Sequence, residues 1–393
     1  MSAVRISDRD AQEALERLIG PETLARIEAP LDEATALPNA AYTSDEFLRL
    51  ENERIFARTW TLAGFTHRIP NPGDAVPVTV AGLPIVLVRN REGGIRAFHN
   101  VCRHRGARLV AQPCKGRPAL TCPYHAWSYD LEGRLVARPH YHGPKQHERI
   151  KGGDAAQGLS PVRCGRWHDL IFVNISGAAP PLEDYLAPLT GRLEGYDLAT
   201  LRHAGCVTFE VEANWKLAFE NFIEPYHVFA VHPRLIRFAP MEIREPSMAE
   251  GPLFYNEYRF PEAEAGRGQG LPHYPDLTED LKQRGVWFQL FPSLGIEIYP
   301  DQFTLLHVTP LGPERVHEEI HVYLIGEAAT SEEHRDARQG VIDMWRDLNE
   351  EDVTVLEHLQ EGRHSPGFDG GRLSPYWDEA TRHFARLVVE AIR

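Results

Sequence analysis

CRHRGARLVAQPCKGRPALTCPYH, residues Cys102–His125, decides how the first half of the chain folds. Cys102 and His104 are separated by one residue and Cys122 and His125 by two, with residues 105–121 between the pairs. Outward in both directions the pattern has period two. TLAGF, AVPVTVA, PIVLVRN and GIRAFHNV precede it, divided by the turn-forming segments NPGD, GLP and REGG, and GRLVARP and HDLIFVNIS follow. Short alternating runs bounded by Gly, Pro and Asn describe strands and tight turns, and here a small all-β unit. We place this unit at residues 45–180. It is preceded by a helical segment, 1–44, expected to pack on the remainder of the chain, 181–393.

Each pair offers one thiolate and one imidazole from a short loop. Two such loops can hold a two-metal cluster from opposite sides, with Cys102 and Cys122 on one iron and His104 and His125 on the other. Neutral histidines in place of two thiolates describe a Rieske-type [2Fe–2S] centre, whose lower negative charge raises its potential. The competing reading is a structural zinc site on the same residues, although zinc more often uses paired Cys-x-x-Cys loops. Cys114, Cys164 and Cys206 have no patterned partner, and five cysteines in a long chain argue against a disulfide framework.

The second informative stretch is NWKLAFENFIEPYHVFAVHP, Asn214–Pro233. It sets Glu220, Asn221, Glu224, His227 and His232 among large apolar side chains, where unpartnered polar groups are costly. On a helix Asn221, Glu224 and His227 would share a face. His232 would be rotated by roughly 140° from His227, so the helix must end, or widen into a π-type turn, between the two. Two histidines and a carboxylate make the open facial site of non-haem Fe(II) oxygenases. The carboxylate is sought in GVIDMWRDLNEEDVTVLEHLQEG. There Trp345, Leu348, Leu356 and Leu359 form an apolar stripe at helical spacing, and Asp352 sits on it. A buried salt bridge would explain such an acid equally, and Glu351 at the stripe's edge is the rival ligand. GCVTFEVEANWK, residues 205–216, reads as a strand running into the Asn214–Pro233 stretch, and further strand candidates across 252–325, followed by helices over 331–360 and 377–392, imply an antiparallel sheet covered by helices. The fold class is therefore α+β.

The chain has 393 residues, 42% apolar and 25% charged, with a net charge of −14. That balance argues against a nucleic-acid surface. No apolar run reaches the roughly 20 residues of a membrane span. The opening MSAVRISDRDAQEALERL lacks a signal-peptide core, so a cytoplasmic protein is expected. No dinucleotide-binding glycine motif is present, so electrons would have to come from a separate reductase.

FHNVCRHRGARLV with CPYHAWSYDLEGRL resembles the Rieske domain of the Rieske non-haem iron oxygenases, and LPNAAYTSDEFLRLENERIFARTWTLAGF resembles the entry to that domain. The resemblance implies a terminal oxygenase using O2, a [2Fe–2S] cluster, Fe(2+) and a partner reductase, directly or through a ferredoxin. It places the iron's carboxylate ligand at Asp352, beside His227 and His232. It also implies a head-to-tail homotrimer in which Glu224 bridges His227 to the neighbouring subunit's cluster ligand, at the position of His125, with Asn221 near the iron. Glutamate at position 224, where the family most often has aspartate, resembles the branch acting on quaternary ammonium compounds. Two substrate classes stay open: an N-methylated or quaternary ammonium compound, and an aromatic ring or acid. Tyr226, Phe288, Phe291 and Tyr299 are candidates to face a cation, and His307 and Arg259 to pair with a carboxylate. A Rieske electron carrier without the second iron is the non-enzyme alternative.

Overall fold

The computed structural model describes residues 6–260, 264–265 and 267–393. The chain divides into two compact units, one formed by residues 56–182 and the other by the N-terminal residues to Ile55 together with 183–393.

In the first unit the period-two runs become a six-stranded sheet. Its strands lie in the order Thr61–Phe65, Leu170–Asn174, Pro161–Trp167, Ile95–His99, Leu83–Arg89 and Ala75–Val80, all paired antiparallel. A smaller sheet of four strands, Leu120–Thr121, Ser128–Tyr129, Leu135–Arg138 and Glu148–Asp154, stands beside it. The unit has two apolar clusters, one on the six-stranded sheet alone and one shared by both sheets. The shared one contains Phe98, Trp127, Tyr129 and Leu135, and also the two cysteines Cys102 and Cys122. Alternation along each strand makes one face apolar, and the loops that carry Cys102 and Cys122 pack their cysteines into that core.

The second unit is a seven-stranded antiparallel sheet. Its strands, from one edge, are Leu201–Val211, Arg315–Ile325, Gln302–Gly312, Leu294–Tyr299, Arg284–Leu290, Leu253–Arg259 and Met248–Glu250. Two helices pack on it: Trp215–Ile223 and the 28-residue Arg335–Gly362. The closing helix Glu379–Ile392 packs against the first of these, where Phe384 stacks on Phe219 with ring centroids 4.3 Å apart.

The expected start of the β unit at residue 45 is corrected to Phe56. Residues 45–55 belong with the sheet-and-helix unit because Glu51 is wholly buried there. It accepts from Lys216 Nζ at 2.6 Å and from Trp215 Nε1 at 2.9 Å. Of the two alternatives expected near His227, a helix end or a π-type turn, the structure has a helix end, and a π-helical turn lies elsewhere, at Asn52–Phe56.

Candidate functional site

The two cysteine–histidine loops fold alike. In the first, Cys102 N–H donates to Ala107 O and Gly106 N–H to Cys102 O; in the second, Cys122 N–H donates to Trp127 O and Ala126 N–H to Cys122 O. Both loops turn through a left-handed residue, Gly106 at φ 76° and Ala126 at φ 55°. Matching turns bring the His104 and His125 rings to 4.7 Å, edge to face, while both cysteines stay buried. His104 is braced by stacking on Trp127 at 4.7 Å. The Tyr129 hydroxyl lies 3.4 Å from Cys102 Sγ and accepts from Arg103 N–H.

These residues fit a [2Fe–2S] cluster. His125 Nδ1 is buried with no partner, an orphaned ring nitrogen of the kind a metal would satisfy. Two neighbouring imidazoles and two enclosed thiols supply the mixed donor set. All five cysteines are free thiols.

In the second unit the residues between Asn214 and Pro233 do not form one long helix. Asn214 caps the first helix by accepting from Lys216 N–H at 3.0 Å, and that helix stops at Ile223. Glu224 is already extended, at φ −108° and ψ 127°. The cause is Pro225, which clashes with a helical conformation of the residue before it. The shared helical face expected for Asn221, Glu224 and His227 is therefore corrected: the helix ends before His227. A single turn, Val228–Val231, then separates the two histidines.

This break aims the histidines. Ring nitrogens of His227 and His232 and a carboxylate oxygen of Asp352 all lie within 4.8 Å of one another. Asp352 Oδ1 is 3.0 Å from His232 Nε2 and 3.7 Å from His227 Nε2. Each ring is held from behind: His227 Nδ1 lies 2.7 Å from Glu224 Oε1, and His232 Nδ1 lies 2.7 Å from Glu351 Oε2. An imidazole that donates its Nδ1 proton to a carboxylate turns an Nε2 lone pair to the opposite side, the arrangement usual for metal-ligating histidines. Asn221 Nδ2 donates to Asp352 Oδ1 at 3.1 Å and orients it. Glu351, the rival for the third position, thus lies on the far side of His232 from the meeting point. Glu224 uses its second oxygen to accept the backbone N–H groups of Tyr226 and His227.

Three carboxylates converge on two imidazoles in a largely buried space. Burial by itself would lower the His232 pKa, but Asp352 and Glu351 together raise it. The excess of negative charge suits a divalent cation, and the two-histidine, one-carboxylate donor set suits Fe(II). Nearby, burial pushes the Glu318 carboxyl up to about 7, although Asn349 donates to it at 2.9 Å.

The trio opens on a pocket also lined by Phe222, Trp287, Glu297, Thr304, Leu306 and Trp345. Trp287, Glu297 and Thr304 form one row across three neighbouring strands. None of the four aromatic residues put forward to face a cation reaches this lining. Phe288 and Phe291 are buried core, Tyr299 is buried with its hydroxyl on Glu297, and Tyr226 stacks on Trp377 at 5.8 Å. His307 alternates away from Leu306, and exposed Arg259 pairs with Asp280. The arginines that do line the pocket, Arg244 and Arg267, follow a short 3-10 turn and precede a two-residue strand, where no periodicity marks them. Glu220, without an assignable role in the sequence, accepts from the Tyr42 hydroxyl at 2.5 Å.

The sequence matches the family model for the Rieske [2Fe–2S] domain over residues 59–148 and that for the ring-hydroxylating alpha subunit catalytic domain over residues 198–393. It is 28% identical over 371 residues to the carnitine monooxygenase oxygenase subunit of Escherichia coli K12, covering 92% of this chain and 95% of the relative. With the glycine betaine monooxygenase oxygenase subunit of Chromohalobacter salexigens it shares 39% identity over 202 residues, 51% of this chain and 44% of the relative. The fold matches a crystal structure of a quaternary ammonium Rieske monooxygenase with a TM-score of 0.78 and 23% identity, covering 94% of this chain and 98% of the other. It also matches naphthalene 1,2-dioxygenase from Rhodococcus sp. with a TM-score of 0.76 and 21% identity, covering 98% and 99%. Two ligand sets on two compact units, and two domain models matched in the same order, lead to one assignment: the chain belongs to the ring-hydroxylating oxygenase alpha subunits, with a Rieske [2Fe–2S] domain ahead of a non-haem iron catalytic domain.

Proposed function

We propose that this chain is the terminal oxygenase of a system in which a separate reductase, directly or through a ferredoxin, supplies electrons for hydroxylating an N-methyl group of a quaternary ammonium compound. The observation that carries this is the His227, His232 and Asp352 trio at the head of a pocket. The likeness along nearly the whole chain to carnitine monooxygenase oxygenase subunits supports the substrate class.

Cys102, His104, Cys122 and His125 would hold the cluster, and His227, His232 and Asp352 the iron; bound there, these groups supply one-electron transfer and O2 activation. Glu224 and Glu351 keep both imidazoles in the tautomer that presents Nε2, and Asn221 fixes the carboxylate. In the net reaction one oxygen atom of O2 enters a C–H bond and the other leaves as water with two electrons and two protons. The N-hydroxymethyl product then loses its hydroxyl proton and breaks its C–N bond, the electron pair staying on nitrogen, which releases formaldehyde, a proton and a tertiary amine. In this reading Glu224 joins His227 to the neighbouring subunit's cluster in a head-to-tail trimer, a heterologous contact that closes by rotation.

The test is turnover of the iron-loaded protein with a reductase and a panel of N-methyl compounds. Formaldehyde release, with roughly three irons and two sulfides per chain, is expected from this ligand inventory. A cis-diol from an aromatic ring, with no formaldehyde from any N-methyl compound, would overturn the substrate class. Two irons per chain and no oxygenation would leave an electron carrier.

A further inference from the structure

The pocket in front of His227, His232 and Asp352 extends to a pair of polar side chains outside that trio. Arg244 and Arg267 line it, and they are 4% and 5% exposed. Buried guanidinium groups are stable only when an anion and a set of acceptors surround them. Arg267 donates from Nη1 to the Tyr299 hydroxyl at 3.3 Å and directs Nε at the Met344 sulfur at 3.4 Å. Arg244 donates from Nε to the Ala239 carbonyl at 2.9 Å, and its guanidinium lies 5.4 Å from the Tyr258 ring and 5.9 Å from the Trp287 ring. Its Nη2 is buried and has no acceptor.

The local acids do not balance these charges. Glu297 accepts from the Tyr299 hydroxyl at 2.6 Å, and its other oxygen has no hydrogen-bond partner. Burial pushes its carboxyl up to about 8, against the pull of both arginines. Asp301, which Arg267 also influences, is pushed by burial up to about 7. Among the described residues neither arginine forms an ion pair with a carboxylate. Near neutral pH two fixed cations therefore face less than their equivalent of negative charge, and one of them has a free donor in a ligand pocket.

We propose that this end of the pocket is an anion subsite: Arg244, supported by Arg267, receives the carboxylate of the molecule whose N-methyl group faces His227, His232 and Asp352. The substrate class narrows to zwitterions that carry a quaternary ammonium and a carboxylate, as opposed to amino alcohols. The planar fork of a guanidinium suits a carboxylate and gives it both direction and charge. This inference rests on the N-methyl reading above, and the following experiment separates the two.

Binding to the iron-loaded full chain is measured calorimetrically for trimethylammonium carboxylates of increasing chain length, glycine betaine included. Each is paired with its alcohol, so that glycine betaine stands beside choline, and with the tert-butyl acid in which carbon replaces nitrogen. For at least one chain length the wild type is expected to bind the acid about 10- to 100-fold more tightly than the alcohol, the range for a charged hydrogen bond in a buried site. Arg244→Gln should remove most of that preference by lowering the acid's affinity far more than the alcohol's, and Arg244→Lys should keep part of it. Absorption of the cluster and the melting temperature report whether each variant is folded, and the wild-type comparison needs no variant. Equal affinity for acid and alcohol at every chain length overturns the anion subsite, as does an equal loss for both in Arg244→Gln. If the tert-butyl acids bind through Arg244 and no ammonium compound binds, the anion subsite stands and the N-methyl reading falls.

Discussion

Asp352 lies one helical turn from Leu348 and one from Leu356, on a face where an unpaired acid would be costly. Its oxygen meets both imidazoles and accepts from Asn221, so the cost is offset by these partners and would be offset further by a cation between them. Asp352→Ala is expected to abolish turnover and lower the mononuclear iron to a small fraction, with cluster absorption unchanged; full retained activity would remove Asp352 from the ligand set. Its position was legible because the apolar stripe framed it. The function of Glu351 was not, since sequence spacing does not tell which ring nitrogen an acid meets. Glu318 makes a separate, pH-dependent prediction. Its carboxyl holds a proton more tightly in the folded chain, about 7 against an ordinary 4.5. The stability tied to that proton is complete below about 4.5 and is lost as pH rises through the folded value, an effect on the order of 3 kcal/mol or less. Glu318→Gln keeps an acceptor for Asn349 and cannot ionise. Its melting temperature should fall less than the wild type's between pH 5 and pH 8, and parallel curves would contradict the assignment.

At the scale of elements, a helix stopped by Pro225 and resumed for a single turn is what lets His227 and His232 face one point. Pro225→Ala relaxes the restriction on Glu224 and should weaken iron binding several-fold, read by titrating Fe(II) into the iron-free protein; unchanged affinity would show that packing alone sets the break. The strands between Thr61 and His99 could be read from alternation, and the meeting of the two Cys–His loops from their spacing. The Glu224–Pro225 break was readable too, but the helical register of the flanking residues concealed it. The start of the β unit was missed for a different reason. Residues 45–55 have a helical pattern, and their destination is fixed by a long-range contact, Glu51 with Lys216 and Trp215. Removing one partner of a buried pair strands the other charge, so Lys216→Met should destabilise the protein by about 3–5 kcal/mol. Adding Glu51→Gln removes the stranded charge and keeps an acceptor for the Trp215 indole. Chemical denaturation should show the double variant recovering more than half the loss; no recovery would mean that the pair is not the link.

For the whole molecule, the two candidate metal sites lie in two compact units of one chain, each with its own set of donor side chains. Cys102→Ala should therefore remove the cluster without the mononuclear iron, and Asp352→Ala the reverse. Neither variant should oxygenate with the reductase. Mixed assemblies then report the route of the electron. If Glu224 receives it from a neighbouring subunit in a head-to-tail ring, a chain with iron but no cluster works beside a chain with cluster but no iron. Random co-assembly at equal amounts puts that order at one contact in four, so about a quarter of wild-type turnover is expected from the ring symmetry. Transfer confined within each chain gives no recovery, because every chain then lacks one of its two centres. Glu224→Gln sharpens the same point. It keeps an oxygen to accept from His227 but loses the charge that would orient two imidazoles at once, so iron content should hold while transfer slows. In the mixed assembly that substitution is expected to act only in the chain that carries the iron. Equal slowing from the iron-less chain would place Glu224 outside the route.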